Sequence, residues 1–145
     1  MPYYRYYFDP TYILVIIGAV LSILASAKVQ STFNRYKKVR SATGMTGAQA
    51  AQRLLNNAGI MDVSIEHVAG NLTDHYDPPS KTLRLSDATY GSNSVAAVGV
   101  AAHECGHAIQ HFKGYAPLQL RSALVPAANL GSRIGIPICI LGAVL

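Results

Sequence analysis

Two histidines and a glutamate near residue 105 have the types and the spacing for chemistry at a metal ion. His103 and His107 are four residues apart, and Glu104 directly follows the first of them. On a helix, residues four apart lie on one face about 6 Å apart along the axis, so both imidazoles can bind one Zn²⁺ in the HExxH pattern. Glu104 is turned by about 100° from His103, where its carboxylate can act as general base on a zinc-activated water. The pattern predicts zinc-dependent hydrolysis of peptide bonds.

The alternative is that these three side chains belong to the core and are satisfied by their neighbours. An isolated buried glutamate is costly without a partner such as a metal-bound water. The flanking residues Val100–Ala102 and Ala108–Ile109 are small or apolar, as a buried catalytic helix requires. Both observations favour the metal site. Cys105 lies roughly 200° around the helix from His103, so we expect it to pack rather than to bind metal.

A catalytic zinc site takes three protein ligands, and the pattern supplies two of them. His111 continues the series, but another 6 Å or so of rise from His107 places it beyond the roughly 2.1 Å bond that zinc requires. The metzincin pattern requires Gly and His where this chain has Gln110 and Lys113, which excludes that class. A gluzincin-like site takes a downstream acidic ligand, yet no Asp or Glu occurs in the rest of the chain. We expect that ligand beyond Leu145.

Upstream residues are a second source of the third ligand. Each of them has a simpler explanation as a strand or turn residue, which we favour. These upstream candidates are His67, Asp74, His75, Asp77 and Asp87.

An uncharged apolar segment near the N-terminus is long enough to cross a membrane. Residues Pro10–Ala27 would span about 27 Å as a helix, close to the thickness of the hydrocarbon core. The aromatic residues at positions 3–8 are typical of an interface belt. A cleaved signal peptide is the alternative, since Ala25–Ala27 has the small-x-small form. Five of the twelve Lys and Arg residues follow directly, which opposes translocation and favours an anchor. They are Lys28, Arg35, Lys37, Lys38 and Arg40.

The distribution of charge also predicts topology and partners. The formal net charge is +5, and the basic cluster adjoins the apolar segment. This placement favours anionic lipid headgroups over nucleic acid, for which no binding motif is present. The excess of basic residues places the N-terminus outside and the residues after Lys28 in the cytoplasm.

The region from residue 30 to 120 is predicted to be a small α+β domain. Alternating apolar and polar residues indicate strands, and a 3.6-residue apolar period between capping residues indicates helices. The predicted helices are Thr46–Asn57, ended by Gly59, and the metal helix over about Val95–Phe112, begun by Ser92 or Ser94 and ended at Lys113-Gly114. The predicted strands are Val63–Val68 and Lys81–Ser86, and Asn71–Ser80 between them is predicted to be a loop or a loose hairpin. We expect a small antiparallel sheet. Its strand Thr82–Ser86 is either an edge strand that pairs with an extended peptide or an ordinary core strand.

The end of the sequence is again apolar. No charge occurs between Arg121 and Arg133, and we expect a helix there that lies at the membrane interface. Ile134–Leu145 offers only about 18 Å of helix, too short to span, so we interpret it as the start of a second, truncated transmembrane helix. The expected division is 1–29 for the aromatic belt and anchor, 30–120 for the catalytic domain, and 121–145 for the interfacial and second membrane segments.

Six short segments of this sequence occur together in one known protein family. They are Phe8–Leu14, Val39–Ser41, Gly44–Ala48, His67–Asp77, Thr82–Ser86 and Ala101–Gln110. Together they resemble the N-terminal part of the YugP-type neutral zinc metallopeptidases of bacterial membranes, and the resemblance runs along nearly the whole chain.

The resemblance implies an N-terminal membrane helix, a zincin-like catalytic domain, and further membrane helices after it. Carried over by position, His103 and His107 are zinc ligands and Glu104 is the catalytic carboxylate. Members of the family continue past Leu145, and the resemblance implies an acidic ligand in that region.

These observations predict a gluzincin-like zinc metallopeptidase tethered to the bacterial inner membrane, with its catalytic domain in the cytoplasm and a protein or peptide as substrate. One alternative is an intramembrane site-2-type protease, because Val95–Ala102 is apolar. However, the apolar segment holding the motif has only about 15 residues, where a spanning helix needs roughly 20. The other alternative is a non-catalytic membrane scaffold that binds zinc for folding. A structural site has no use for a base, so the presence of Glu104 argues against it.

Overall fold

The structure is a computed structural model that describes residues 11–144. In this range, a small unit of two helices and three strands stands between two long apolar helices. In chain order the elements are α1 (Thr11–Tyr36), α2 (Gly47–Asn57), β1 (Ser64–Val68), β2 (His75–Asp77), β3 (Thr82–Ser86), α3 (Val95–Phe112) and α4 (Ala116–Val144). The predicted α+β class is confirmed. The predicted aromatic belt at residues 3–8 lies outside the described residues.

Helix α1 is longer than its apolar segment. The apolar run ends at Ala27, but the helix continues to Tyr36. Residues 28–36 include no Gly or Pro, and polar side chains do not by themselves end helical hydrogen bonding. Phe33, with 7% of its surface exposed, is the one buried residue of α1. The polar end of α1 therefore packs against the domain, while its apolar part faces outward.

Two of the described helices are long and apolar enough to cross a membrane, judged by length and composition. They are α1 and the part of α4 over residues 116–142. The predicted change of element near Arg133 is wrong, because α4 is continuous and includes Pro126 and Pro137. The positions of charged residues indicate which segments can contact lipid, but they do not determine where a helix ends. Proline, in turn, is tolerated inside the apolar helices of membrane proteins. The division of the chain into three domains stays a prediction.

Helix α2 is delimited by local capping at both ends, as the sequence predicts. The hydroxyl of Thr46 accepts the N–H of Gln49 (3.2 Å), and the side-chain oxygen of Gln49 accepts the N–H of Thr46 (3.0 Å), which is a capping box. Gly59 has a φ of +73°, and the N–H of Ile60 donates to the carbonyl of Leu55 (3.0 Å). This is a Schellman ending, in which glycine takes the left-handed position.

The sheet is mixed rather than antiparallel, which corrects the prediction from the sequence. β1 and β3 pair in parallel, with Ser64 opposite Thr82. β2 lies inside the predicted loop and pairs antiparallel with β3, so that the strand order is β1-β3-β2. Three residues are too few to show an alternating pattern, and parallel neighbours need a long connection. The segment predicted as a loop provides that connection and contributes a third strand.

The central strand is β3, so the prediction that Thr82–Ser86 is an edge strand is wrong. Leu83 and Leu85 are fully buried, and β3 has a paired neighbour on each side. β2 is an edge strand of the sheet and lies beside α3. The alternative expectation of an ordinary core strand describes β3 correctly.

Helix α3 buries a face of small side chains against α2 and the sheet. The buried residues of α3 are Ala97, Ala101, Cys105 and Ala108. The thiol of Cys105 lies 3.6 Å from the carbonyl oxygen of Ala51 and donates to it. The larger residues of the same cluster are Leu55, Ile60, Leu83 and Leu85. Because this face of α3 packs in the core, the opposite face of the helix, which carries His103 and His107, is not covered by the core.

Gly47 allows the first turn of α2 to approach the connection between β3 and α3. A Cβ at Gly47 would lie 2.3 Å from the carbonyl oxygen of Thr89. We therefore expect Gly47→Ala to lower the free energy of unfolding by about 1–3 kcal/mol, although alanine favours helices, because overpacking against backbone is costly. The measurement is thermal unfolding in detergent. Unfolding is monitored by the exposure of the buried Cys105 thiol to a fluorogenic reagent, in a Cys139→Ser background that removes the exposed thiol.

Gly91→Ala is the matched control, because a Cβ at Gly91 would meet nothing within 4 Å. This variant should unfold at the temperature of the parent. Equal unfolding temperatures for Gly47→Ala and Gly91→Ala would contradict the close approach.

Candidate metal centre

The helix that carries the motif is present with the predicted bounds. α3 runs from Val95 to Phe112, and its N-cap Ser94 accepts the N–H of Ala97 at 3.2 Å. After Phe112 the chain turns at Gly114, which has a φ of +63°. Both signals are local in the sequence, which explains why the sequence predicts them.

The structure brings the two motif histidines together on the face of α3 that points away from the core. Their ring centroids are 4.8 Å apart, and the rings are nearly perpendicular at 82°. The Nδ1–H of His107 donates to Oε1 of Gln110 at 3.1 Å. Because Nδ1 carries the proton, Nε2 of His107 keeps its lone pair for a metal. Gln110 is thus a positioning residue that the prediction did not assign.

Glu104 lies between the histidine face of α3 and the edge of the sheet. Its Oε2 accepts the backbone N–H of Tyr76 at 3.2 Å. Tyr76 faces Leu83 in the antiparallel pair, and its N–H points away from β3 toward α3. An edge strand that the sequence did not predict therefore orients the predicted base.

His111 contacts the side chain of the same tyrosine. Its Nδ1 is 3.0 Å from the hydroxyl of Tyr76, and the ring centroids are 5.8 Å apart. Burial raises the pKa of the Tyr76 phenol above its usual value, so the hydroxyl stays protonated at neutral pH. This contact agrees with the expectation that His111 is not a metal ligand.

The upstream histidines and two of the upstream aspartates have partners of their own. His67 donates to Asp87 at 2.6 Å, and the Nδ1–H of His75 donates to the carbonyl of Thr73 at 2.8 Å. The backbone N–H of Gly70 and then His67 lower the pKa of the Asp87 carboxyl. These contacts support the explanation of His67, His75 and Asp87 as strand and turn residues.

The other two upstream aspartates also bind within the fold. Asp74 accepts the N–H and the hydroxyl of Ser86, at 2.8 and 2.9 Å. The hydroxyl of Ser80 donates to Asp77 at 2.6 Å, and this bond is the main cause of a lowered pKa at Asp77, with Arg84 a smaller one. Within residues 11–144, no group of three His, Cys, Asp or Glu side chains could hold a metal ion.

Cys105 packs in the core, as predicted. Its side chain is 1% exposed, and burial raises the pKa of its thiol to about 11, with Glu104 contributing a smaller part. A buried neutral thiol on the side of α3 that faces α2 is not available to a metal on the opposite face.

The residues of this face fit part of the donor set of zinc. Zinc binds neutral imidazole nitrogens and favours a donor hydrogen bond from the other ring nitrogen to an oxygen. His107 has that arrangement, and His103 lies beside it. The described residues therefore offer two imidazoles that fit a zinc ion, and an adjacent carboxylate.

Comparisons with known proteins show what the sequence of this chain is similar to. The sequence profile of the family described as "Putative neutral zinc metallopeptidase" matches residues 11–145. A curated relative from Bacillus subtilis (strain 168), "Putative membrane protease YugP", is 44% identical over 132 residues. The match covers 91% of this chain and 58% of the relative, so the chain spans somewhat more than half the relative's length. No solved structure matches.

The bond from His107 to Gln110 can be tested through zinc affinity. Gln110→Ala removes the acceptor, and we expect zinc binding to weaken by roughly 10-fold or more, because the ring loses its orienting partner. Gln110→Glu keeps an acceptor and should retain the affinity. Competition with a chromogenic chelator measures both variants.

The nitrogen chemical shifts of the His107 ring test the same bond without metal. They should show the Nδ1–H form in the parent and a mixture of tautomers in Gln110→Ala. Unchanged affinity together with unchanged shifts in Gln110→Ala would show that Gln110 does not position the ligand.

Proposed function

This chain belongs to the neutral zinc metallopeptidase family, and on that premise we propose that it forms the zinc-binding and catalytic part of a membrane-bound peptidase. His103 and His107 bind the zinc, and Glu104 is the general base. The observation that carries the proposal is the pair of imidazole rings 4.8 Å apart on one face of a helix, with Glu104 beside them. We propose a zincin-like domain, and the packing of this helix near a small sheet supports that proposal.

The chemistry follows from the roles of these side chains. A bound zinc ion would acidify water and polarise the carbonyl of the scissile peptide bond. Glu104 accepts the proton of the attacking water and delivers it to the nitrogen of the leaving amine. The N–H of Tyr76 holds Oε2 of Glu104, which leaves Oε1 for the water. Glu104 and the edge strand β2 therefore define where a substrate lies.

The substrate in this proposal is a protein or peptide in extended form. β2 is an edge strand, and edge strands pair with extended peptides through backbone hydrogen bonds. The N–H of Tyr76 on this edge is already held by Glu104, so a peptide that pairs with the rest of the edge would pass the base. In this proposal β2, and not Thr82–Ser86, is the edge strand that pairs with an extended peptide.

The apolar helices support a location at the membrane. α1 and α4 are long and apolar enough to cross a bilayer, and the Bacillus subtilis relative is named a membrane protease. The basic residues between Lys28 and Arg40 favour a cytoplasmic domain of a bacterial inner-membrane protein. The packing of α3 on α2 and the sheet supports a site outside the hydrocarbon core, because its buried partners are protein residues.

Two substitutions at the motif separate catalysis from metal binding. In the protein purified in detergent, Glu104→Gln should keep the zinc content and lower peptide hydrolysis by roughly 10²–10⁴-fold, because it removes the base but no ligand. His103→Ala should lose both zinc and activity. Elemental analysis and a fluorogenic peptide assay measure the two properties.

The control is His67→Ala, since His67 binds Asp87 away from the motif. This variant should retain zinc and activity, whereas loss of zinc would identify His67 as the upstream ligand. Full turnover in Glu104→Gln would disprove the role of the base. Absence of zinc from the parent protein would overturn the proposed function.

A further inference from the structure

A cavity of about 580 Å³ lies between the polar end of α1 and the first half of α3. Its walls include Val29 and Phe33 from α1, and Gly99 and Val100 from α3. His103 and Glu104 also line it. Its volume is in the range of sites that hold small organic ligands. The cavity therefore begins at the predicted reacting groups and extends along α3 toward the membrane helix.

The lining of the cavity is mainly apolar. Asp74 also contributes to the wall, but both its carboxylate oxygens accept hydrogen bonds from Ser86. Lys28, the first residue after the apolar run of α1, also lines the cavity. The mainly apolar wall beside His103 and Glu104 suits apolar groups, which leave water when they bind there.

Gly99 and Gly106 both lie inside α3, and no neighbour explains the small size of either; of the two, Gly99 lines the cavity. Gly99 lies one turn before His103, inside the helix, where glycine costs about 1 kcal/mol relative to alanine. A Cβ at Gly99 would meet nothing within 4 Å, so no neighbour requires glycine. The missing side chain gives room only to the cavity.

We propose that this cavity is a substrate subsite for large apolar side chains next to the cleaved peptide bond, with Gly99 keeping it open. The inference rests on the proposed function, because it names the substrate class of the same site. The preferred substrates are peptide segments with bulky apolar residues, of the kind that emerge from a bilayer. The position of the cavity beside the end of α1 would place it where such segments leave the membrane.

The first experiment changes the volume of the subsite. Gly99→Leu narrows the cavity from a position where a Cβ meets no neighbour within 4 Å, and Gly91→Leu adds the same side chain at a position that is equally open at Cβ but does not line the cavity. Peptide pairs that differ only by Phe or Ala next to the cleaved bond are compared by kcat/KM. We expect a Phe preference of about 10-fold or more in the parent and in Gly91→Leu. In Gly99→Leu the preference should fall to near unity, because the added side chain occupies space that the Phe side chain of the substrate would take.

The second experiment reads occupancy without catalysis. A peptide that carries benzoylphenylalanine is photo-crosslinked to the Glu104→Gln variant, and the labelled residues are found by mass spectrometry. Labels should fall on Val29, Phe33 or Val100 and should be lost in Glu104→Gln/Gly99→Leu, while thermal unfolding confirms that this variant is folded.

The kinetic preference and the crosslinking together distinguish a failure of the subsite from a failure of the proposed function. Crosslinking at the cavity without hydrolysis in the parent would keep the subsite and overturn the proposed function. Hydrolysis with equal Phe and Ala rates, or a Phe preference unchanged by Gly99→Leu, would overturn the subsite and keep the function. Labelling of the same wall by a photoreactive fatty acid, with none by the peptide, would identify a lipid site and overturn the subsite.

Discussion

The small side chains on one face of α3 are the constraint on which the rest of the structure depends. Ala101 and Cys105 allow α3 to approach α2 until the thiol reaches the carbonyl of Ala51. Larger residues would separate the two helices or strain the core. Because a helix turns by about 100° per residue, burial of this face directs His103 and His107 away from the core. The contact that stabilises the domain therefore also presents the two imidazoles on the open face.

The sheet positions the carboxylate of the site. The chain leaves β1, returns along the far side of β3 as β2, and then enters β3. Asp74, just before β2, is bonded twice to Ser86 at the end of β3, which fixes the start of the edge strand. The N–H of Tyr76 then meets Glu104 at 3.2 Å. The outer edge of β2 would otherwise be a template for pairing with another strand. Here its Tyr76 N–H instead orients Glu104, a side chain of α3.

The parts of the structure that the sequence predicts are those whose signals are local. The caps of α2 and α3 and the spacing of the motif lie within single helices, so no long-range contact is needed to recognise them. β2 exists only because it pairs with β3, and three residues show no period of their own. The contact of Gln110 with His107 could have been predicted from the sequence, because the two residues are three apart on one helical face. The bond from Tyr76 to Glu104 joins residues 28 positions apart, and no pattern in the sequence indicates it.

The polar end of α1 connects the apolar part of this helix to the candidate site. A simple tether would need no contact beyond the end of its apolar run, yet α1 continues to Tyr36 and buries Phe33. This extension forms a wall of the cavity that His103 and Glu104 also line. The two imidazoles are held on one rigid helix, whereas the width of the cavity depends on how α1 lies against α3. A change in the angle of α1 relative to α3 would therefore change which side chains fit beside His103 and Glu104 and leave the histidine pair unchanged.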